Sequence, residues 1–156
     1  MLDATQLVKE LQEMRDDGHL SDALLRYAVR NIENADPRFD WVGVYLVDAE
    51  KNDVWLHNYV GSPTEHSRIP LGTGVMGRAV TEGKDSNVAD LSEVEDRLDD
   101  DPDMAAELVV LIRAGEDVFG VIDLDSSEKG AFGDEDEAAL RGVADKLAEQ
   151  LAAERR

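Results

Sequence analysis

Apolar residues at Leu7, Val8, Leu11 and Met14 recur three and four positions apart, and this spacing predicts a helix over residues 3–17. Gly18 can close it in the left-handed conformation. Ser21 offers a side-chain cap for a second helix, whose stripe is Leu24, Leu25, Ala28, Val29 and Ile32 and which Asp36-Pro37 ends. The period then changes. WVGVYLV at 41–47 is a continuous apolar run, as expected for a strand buried on both faces, and the turn Lys51-Asn52-Asp53 leads back into VWLHNYV at 54–60. The stretch through Gly61, Pro63 and Pro70 reads as loop. A short helix is expected over 75–81, stopped by Gly83, followed by a brief strand at 86–89. EVEDRLDDDPD at 93–103 reads as a solvated connection. ELVVLIR at 107–113 and DVFGVIDLD at 117–125 flank Ala114-Gly115-Glu116 as a second hairpin. Asp134 and Glu137 have the spacing of a capping box, opening a final helix with Leu140, Val143, Leu147 and Leu151 on one stripe.

Strands joined by tight turns pair antiparallel, because parallel neighbours need long crossovers. The element order therefore predicts an α+β fold: an antiparallel sheet with the terminal helices on one face and a ligand pocket on the other. One domain is expected over 1–156, with helices in 1–35, sheet and pocket in 39–130, and a closing helix in 134–156.

Charge narrows the partners. The 156 residues carry 36 acidic against 16 basic side chains, a formal charge of −20. Such a surface repels nucleic-acid phosphates and anionic membranes, so neither is expected as a partner. Five lysines against eleven arginines, with few aromatics, give the composition of a salt-loving organism's protein, in which high salt screens the self-repulsion. Cysteine is absent, which excludes disulfides, thiolate nucleophiles, cysteine-based zinc sites and iron–sulfur clusters. The acidic, amphipathic N-terminus is not a signal peptide and no run is long enough for a membrane span, so a cytoplasmic location is expected.

GTGVMG at 72–77 fits G-x-G-x-x-G, the fingerprint of dinucleotide binding. That reading needs a buried strand running into the glycines and a helix long enough to return to a parallel partner. Pro70 sits where the strand should end, and only about two turns of helix follow. The glycines instead suit a tight turn into a short helix.

In its topology, the stretch IPLGTGVMGRAV at 69–80 resembles the corresponding segment of GAF domains, and within them the free methionine-(R)-sulfoxide reductases. GVIDLDS at 120–126, FGDEDEAAL at 132–140 and FDWVGVYLV at 39–47 are similar to three further segments of that group, in the same order. The resemblance implies a GAF fold and a small-molecule pocket. It also implies that Glu107, Asp123 and Asp125 match acids holding the ligand's amino and sulfoxide groups. In the reductases a thiolate attacks the sulfoxide sulfur and further cysteines resolve the oxidised enzyme. The matching positions here are Met76, Ser86 and Asp100, none of which forms a sulfenic acid or a disulfide.

Strand alternation gives an independent view of the pocket. Residues two apart share a face, so Asp123 and Asp125 should point with Phe119 and Val121, opposite Val118, Ile122 and Leu124. Two such close carboxylates attract a cation, share a proton or take solvent. A two-residue loop at Gly115-Glu116 would set Glu107 opposite Leu124, on the wrong face; a three-residue loop would set it opposite Asp123. Trp55, His57 and Tyr59 alternate onto one face of their strand, and Trp55 and Tyr59 are candidate lining residues. His57 lacks a second ligand at metal spacing, and Asp99-Asp100-Asp101 lacks the EF-hand spacing, so neither a metal nor a cofactor is expected. The reading is a free-standing sensor of a small molecule, amine-bearing or amino-acid-like. It would dimerise through Leu2, Leu7, Leu11 and the 147–151 stripe. A reductase of another mechanism and a protein-interaction module are the rivals.

Overall fold

The computed structural model describes residues 1–98 and 101–155. Its elements run α1 (Ala4–Asp16), α2 (Ser21–Ala35), β1 (Trp41–Asp48), β2 (Asp53–Val60), β3 (Arg68–Pro70), α3 (Gly74–Glu82), β4 (Ser86–Val88), a 3-10 turn (Leu91–Glu93), β5 (Ala106–Ala114), β6 (Asp117–Ser126) and α4 (Asp134–Glu154). Six strands form one sheet in the order β3-β2-β1-β6-β5-β4, and every pairing is antiparallel. The fold is the expected α+β arrangement. Helices α1, α2 and α4 pack on one face and α3 on the other, which gives two apolar clusters, one on each side.

The helix-side cluster is aliphatic: Val42, Val44, Ile122 and Leu124 from the two central strands meet Leu24, Val29, Leu140 and Leu147. Burying a side chain of this size contributes about 1.5–3 kcal/mol, so this layer supplies much of the stability. Leu7, Leu11, Leu147 and Leu151 are buried in that same layer. They are consumed within the chain and cannot form the expected dimer contact.

Several local expectations are corrected. Residues 68–70 form an edge strand where loop was expected. Three residues are too few to show a period, and Pro70 is tolerated because an edge position needs no ladder donor there. Ser21 is the first residue of α2 and does not cap it. The cap comes from across the molecule: the Glu154 carboxylate accepts from the Ser21 amide and hydroxyl, both at 2.8 Å, and pairs with Arg15. Glu154 thereby joins α1, α2 and α4. At the start of α4 the cap lies one residue off the expected pair and is one-sided: Gly133 has no side chain to accept, and its amide donates to the Asp136 carboxylate at 2.9 Å. Arg38 bridges Asp136 (3.0 Å) to Asp36 (2.7 Å), and this pairing holds the Asp36 carboxyl down to about 2.

Both hairpins are irregular. In β6 the register shifts between Ile112 and Arg113, so Ile112 faces Gly120, Arg113 faces Val118, and Phe119 is the extra residue. In β2 the shift between Val44 and Tyr45 makes His57 the extra residue. A bulge moves every later residue to the opposite face from the one plain alternation assigns.

Candidate functional site

The β6 bulge decides what the sheet presents. The turn is the tight Gly115-Glu116 loop, which alone would set Glu107 against Leu124. With Phe119 inserted, Glu107 lies opposite Asp125 and Val109 opposite Asp123. This is neither of the two registers expected, and it turns Glu107 onto the same face as both aspartates. It also exchanges the two residues beside it: Phe119 packs with the helix-side cluster and Val118 with the other, the reverse of the sequence expectation.

The face away from the helices is laid out in rows across the strands. Trp41, Asp125, Glu107 and Val88 lie side by side, then Gly43, Asp123, Val109 and Ser86, then Tyr45, Val121 and Leu111. Over the first rows opens a cavity of about 80 Å³. Glu107, Asp123 and Asp125 line its floor beside Trp41 and Tyr45. Met76 from α3 forms one wall, and Leu91, Arg97, Leu98, Asp101 and Met104 from the segment between β4 and β5 form another. Ser62, Pro63 and Thr64, between β2 and β3, close the remaining side.

Glycine makes room for the aromatic wall. A Cβ on Gly43 would come within 2.4 Å of the Trp41 ring, and one on Gly61, at φ 136°, within 2.6 Å. The indole therefore folds back over its own strand, next to Asp123. Tyr59 stacks behind it at 5.5 Å between ring centroids. The polar ends of both cavity aromatics hold the neighbouring loop: Trp41 Nε1 donates to the Ser62 carbonyl (3.0 Å) and the Tyr45 hydroxyl to the His66 carbonyl (3.1 Å).

The acids sit close. Glu107 and Asp125 are half-buried, Asp123 is buried, and one oxygen from each lies within 4.8 Å of the others. Burial pushes the Glu107 carboxyl above the usual carboxylate range, while a hydrogen bond with Asp123 and the charge of Arg97 pull it back. A hydrogen bond between two carboxyl groups needs a proton on one of them. The group can therefore take a cation, an ammonium or another donor in that proton's place. Among the described residues no other three acidic, histidine or cysteine side chains converge in this way.

The remaining expected site residues fall elsewhere. Trp55 packs with the helix-side cluster. Tyr59 lies beyond the β2 bulge on the opposite face, partly exposed, and reaches the cavity only through Trp41. Inserting His57 between them breaks the alternation that put the two aromatics together. His57 itself turns to α2, where Nε2 meets Asp22 at 2.8 Å. Ser86 is half-buried in the edge strand and does not line the cavity. Asp100 lies outside the described residues. Trp41, Tyr45, Arg97 and Met104 were missed. For the first two the signal was Gly43 between them at two-residue spacing, which marks a face on which a large ring needs space.

Residues 18–152 match the family described as GAF domain. The chain belongs to the GAF domain family. Among curated relatives, Protein YtsP of Bacillus subtilis (strain 168) is 31% identical over 148 residues, covering 94% of this chain and 89% of that protein. The free methionine-R-sulfoxide reductase of Escherichia coli (strain K12) is 32% identical over 113 residues, covering 72% of this chain and 67% of that enzyme. Among solved structures, the free methionine-R-sulfoxide reductase of Neisseria meningitidis in complex with its substrate superposes with a TM-score of 0.87 at 27% identity, over 97% of this chain and 90% of that one. A putative GAF sensor protein of Burkholderia vietnamiensis gives the same TM-score at 22% identity, over 98% and 96%, a likeness of fold alone. The relatives of this chain thus include a free methionine-R-sulfoxide reductase, and its fold is shared with a putative GAF sensor protein. No helix among the described residues is long and apolar enough to cross a membrane.

Proposed function

We propose that this GAF domain binds a small amine-bearing molecule between Trp41, Tyr45 and the Glu107–Asp123–Asp125 group, and acts as a sensor without thiol chemistry. One observation carries the reading: three carboxylates converge in a half-enclosed, aromatic-walled cavity of a chain that has no cysteine. Reduction of a sulfoxide by the family's route needs a thiolate to attack sulfur and a thiol to resolve the product. Met76 lines the cavity where the resemblance places a reactive cysteine, and its thioether can do neither.

Free methionine-(R)-sulfoxide, the substrate class in the relatives' names, is the first probe. Titration calorimetry should detect binding, and saturating probe should raise the melting temperature, since a ligand held only by the folded state stabilises it. Methionine formation in the presence of dithiothreitol would overturn the sensor reading in favour of a reductase with another nucleophile. Absence of binding by this probe, methionine, simple amines and polyamines would leave the interaction module standing. The salt-loving origin belongs to the same proposal, and a melting temperature that rises with KCl supports it.

A further inference from the structure

The wall and the floor of the cavity offer a ligand different things. Both wall aromatics have committed their donors. The single N–H of Trp41 goes to the Ser62 carbonyl (3.0 Å) and the single O–H of Tyr45 to the His66 carbonyl (3.1 Å). Toward a ligand the two side chains therefore offer ring surface and no proton. The lining beside them is apolar and polarisable, with Met76, Met104, Leu91 and Leu98. Yet Asp40, Asp101, Glu107, Asp123 and Asp125 line the same space against one arginine among the described residues, so the cavity is negative. Two of these acids, Glu107 and Asp123, already bond to each other.

We infer that the cavity selects a trimethylammonium head group, carried by a small free molecule, over a primary amine. This rests on the reading of the cavity as a cation site and names which cation. A primary ammonium is strongly hydrated and has three N–H donors, so leaving water is costly unless three acceptors converge on one nitrogen. A trimethylammonium has no donor to satisfy. Its charge is spread over methyl groups that pack on ring faces and thioethers, and aromatic rings attract it through their quadrupoles. The acids then act by charge alone, and the proton shared by Glu107 and Asp123 stays in place. Tyr59 stacks behind Trp41, and Gly43 leaves the indole room over the strand, so the ring surface is fixed before a ligand arrives. One water needs about 10–15 Å³ of such space. The cavity of about 80 Å³ thus takes a head group of several non-hydrogen atoms and leaves the rest of the molecule at its mouth.

Three probes separate charge from methyl groups by calorimetry at fixed salt. They are choline, ethanolamine, which lacks the three methyl groups, and the neutral isostere of choline with a tert-butyl group in place of the trimethylammonium. Choline should bind roughly tenfold or more tightly than either, as expected where a desolvated cation meets aromatic rings. Trp41→Leu should reduce that preference in a protein that still melts cooperatively, and Trp55→Phe, on the other face, should leave it unchanged. Ethanolamine binding as tightly as choline would overturn the inference, because the acids alone would then decide, and would leave the amine reading standing. Equal binding of the neutral isostere would overturn it as well, and neither comparison needs a variant. An unchanged preference in a folded Trp41→Leu protein would do the same. Phosphatidylcholine vesicles present the same head group on a surface, and co-sedimentation with them would overturn the assignment to a free molecule. Failure of all three probes while methionine-(R)-sulfoxide binds overturns the inference and leaves the cavity reading standing. Failure of that probe too removes both.

Discussion

On the face toward α1, α2 and α4, strands β1 and β6 present Val42, Val44, Ile122 and Leu124, all fully buried among aliphatic neighbours. On the other face the same strands present Trp41, Gly43, Tyr45, Asp123 and Asp125. Period-two alternation makes both faces from one stretch of chain. The helix face takes interchangeable branched side chains, because its task is to exclude water. The opposite face carries a glycine, two aromatics with bonded polar ends, and carboxylates crowded against their own preference. The contrast separates the residues that hold the protein together from those that would hold a ligand, although they alternate along the same strands.

Substitutions can test that division. Leu124→Ala, on the helix face, should cost about 2–5 kcal/mol, read as a lower urea midpoint with unchanged slope, and should leave ligand affinity of the folded protein intact. Gly43→Ala acts on the other face, where its Cβ meets the Trp41 ring. It should cost about 1–3 kcal/mol through overpacking. In a Trp55→Phe background the emission of Trp41 should shift, and ligand binding should fall.

Arg38→Ala tests the charged seam at the start of α4. About 1–2 kcal/mol is expected, well below the cost of breaking a fully buried pair, because the Arg38 side chain is 31% exposed. The pair also fixes an acid limb. Asp36 is depressed to about 2, so its contribution is complete above the ordinary carboxylate value near 4 and is lost as pH falls from there toward 2. Arg38→Ala should flatten that limb in urea midpoints measured from pH 5 to pH 2.5.

The smallest effect has the opposite sign. Burial raises the Glu107 carboxyl, so the folded state binds its proton more tightly than the unfolded state. Stability then falls as pH rises from the ordinary carboxylate value through the raised one. Glu107→Gln should remove that dependence and slightly raise the melting temperature at neutral pH while weakening ligand binding. A stability gain coupled to a binding loss would mark the residue as kept for function; a loss of both would place it with the helix-face residues.

The long elements were legible because helical and strand periods are local. The stripes of α2 and α4 and the hairpin strands were all visible in apolar spacing. What stayed hidden was set from a distance or carried by too few residues: the Glu154 cap on α2, the three-residue β3, and the bulges at His57 and Phe119. The site divides the same way. Asp123 and Asp125 followed from alternation, and Glu107 came with the family resemblance, but its register depended on the bulge. Trp41 and Tyr45 stayed hidden because their strand is apolar throughout and does not show its two faces, whereas Trp55 and Tyr59 stand in a visibly alternating one. Arg97 sits in a segment whose charge density reads as solvated loop, and only its fold over the cavity distinguishes it.

The extra residue at Phe119 makes length as important as composition in this gene. Delete that single codon, and plain pairing from the turn would swing Glu107 away from its partners toward the oily layer beneath. All three acids would still be spelled out in the translated text, and an alignment would score them as intact. The pocket would nonetheless be one carboxylate short.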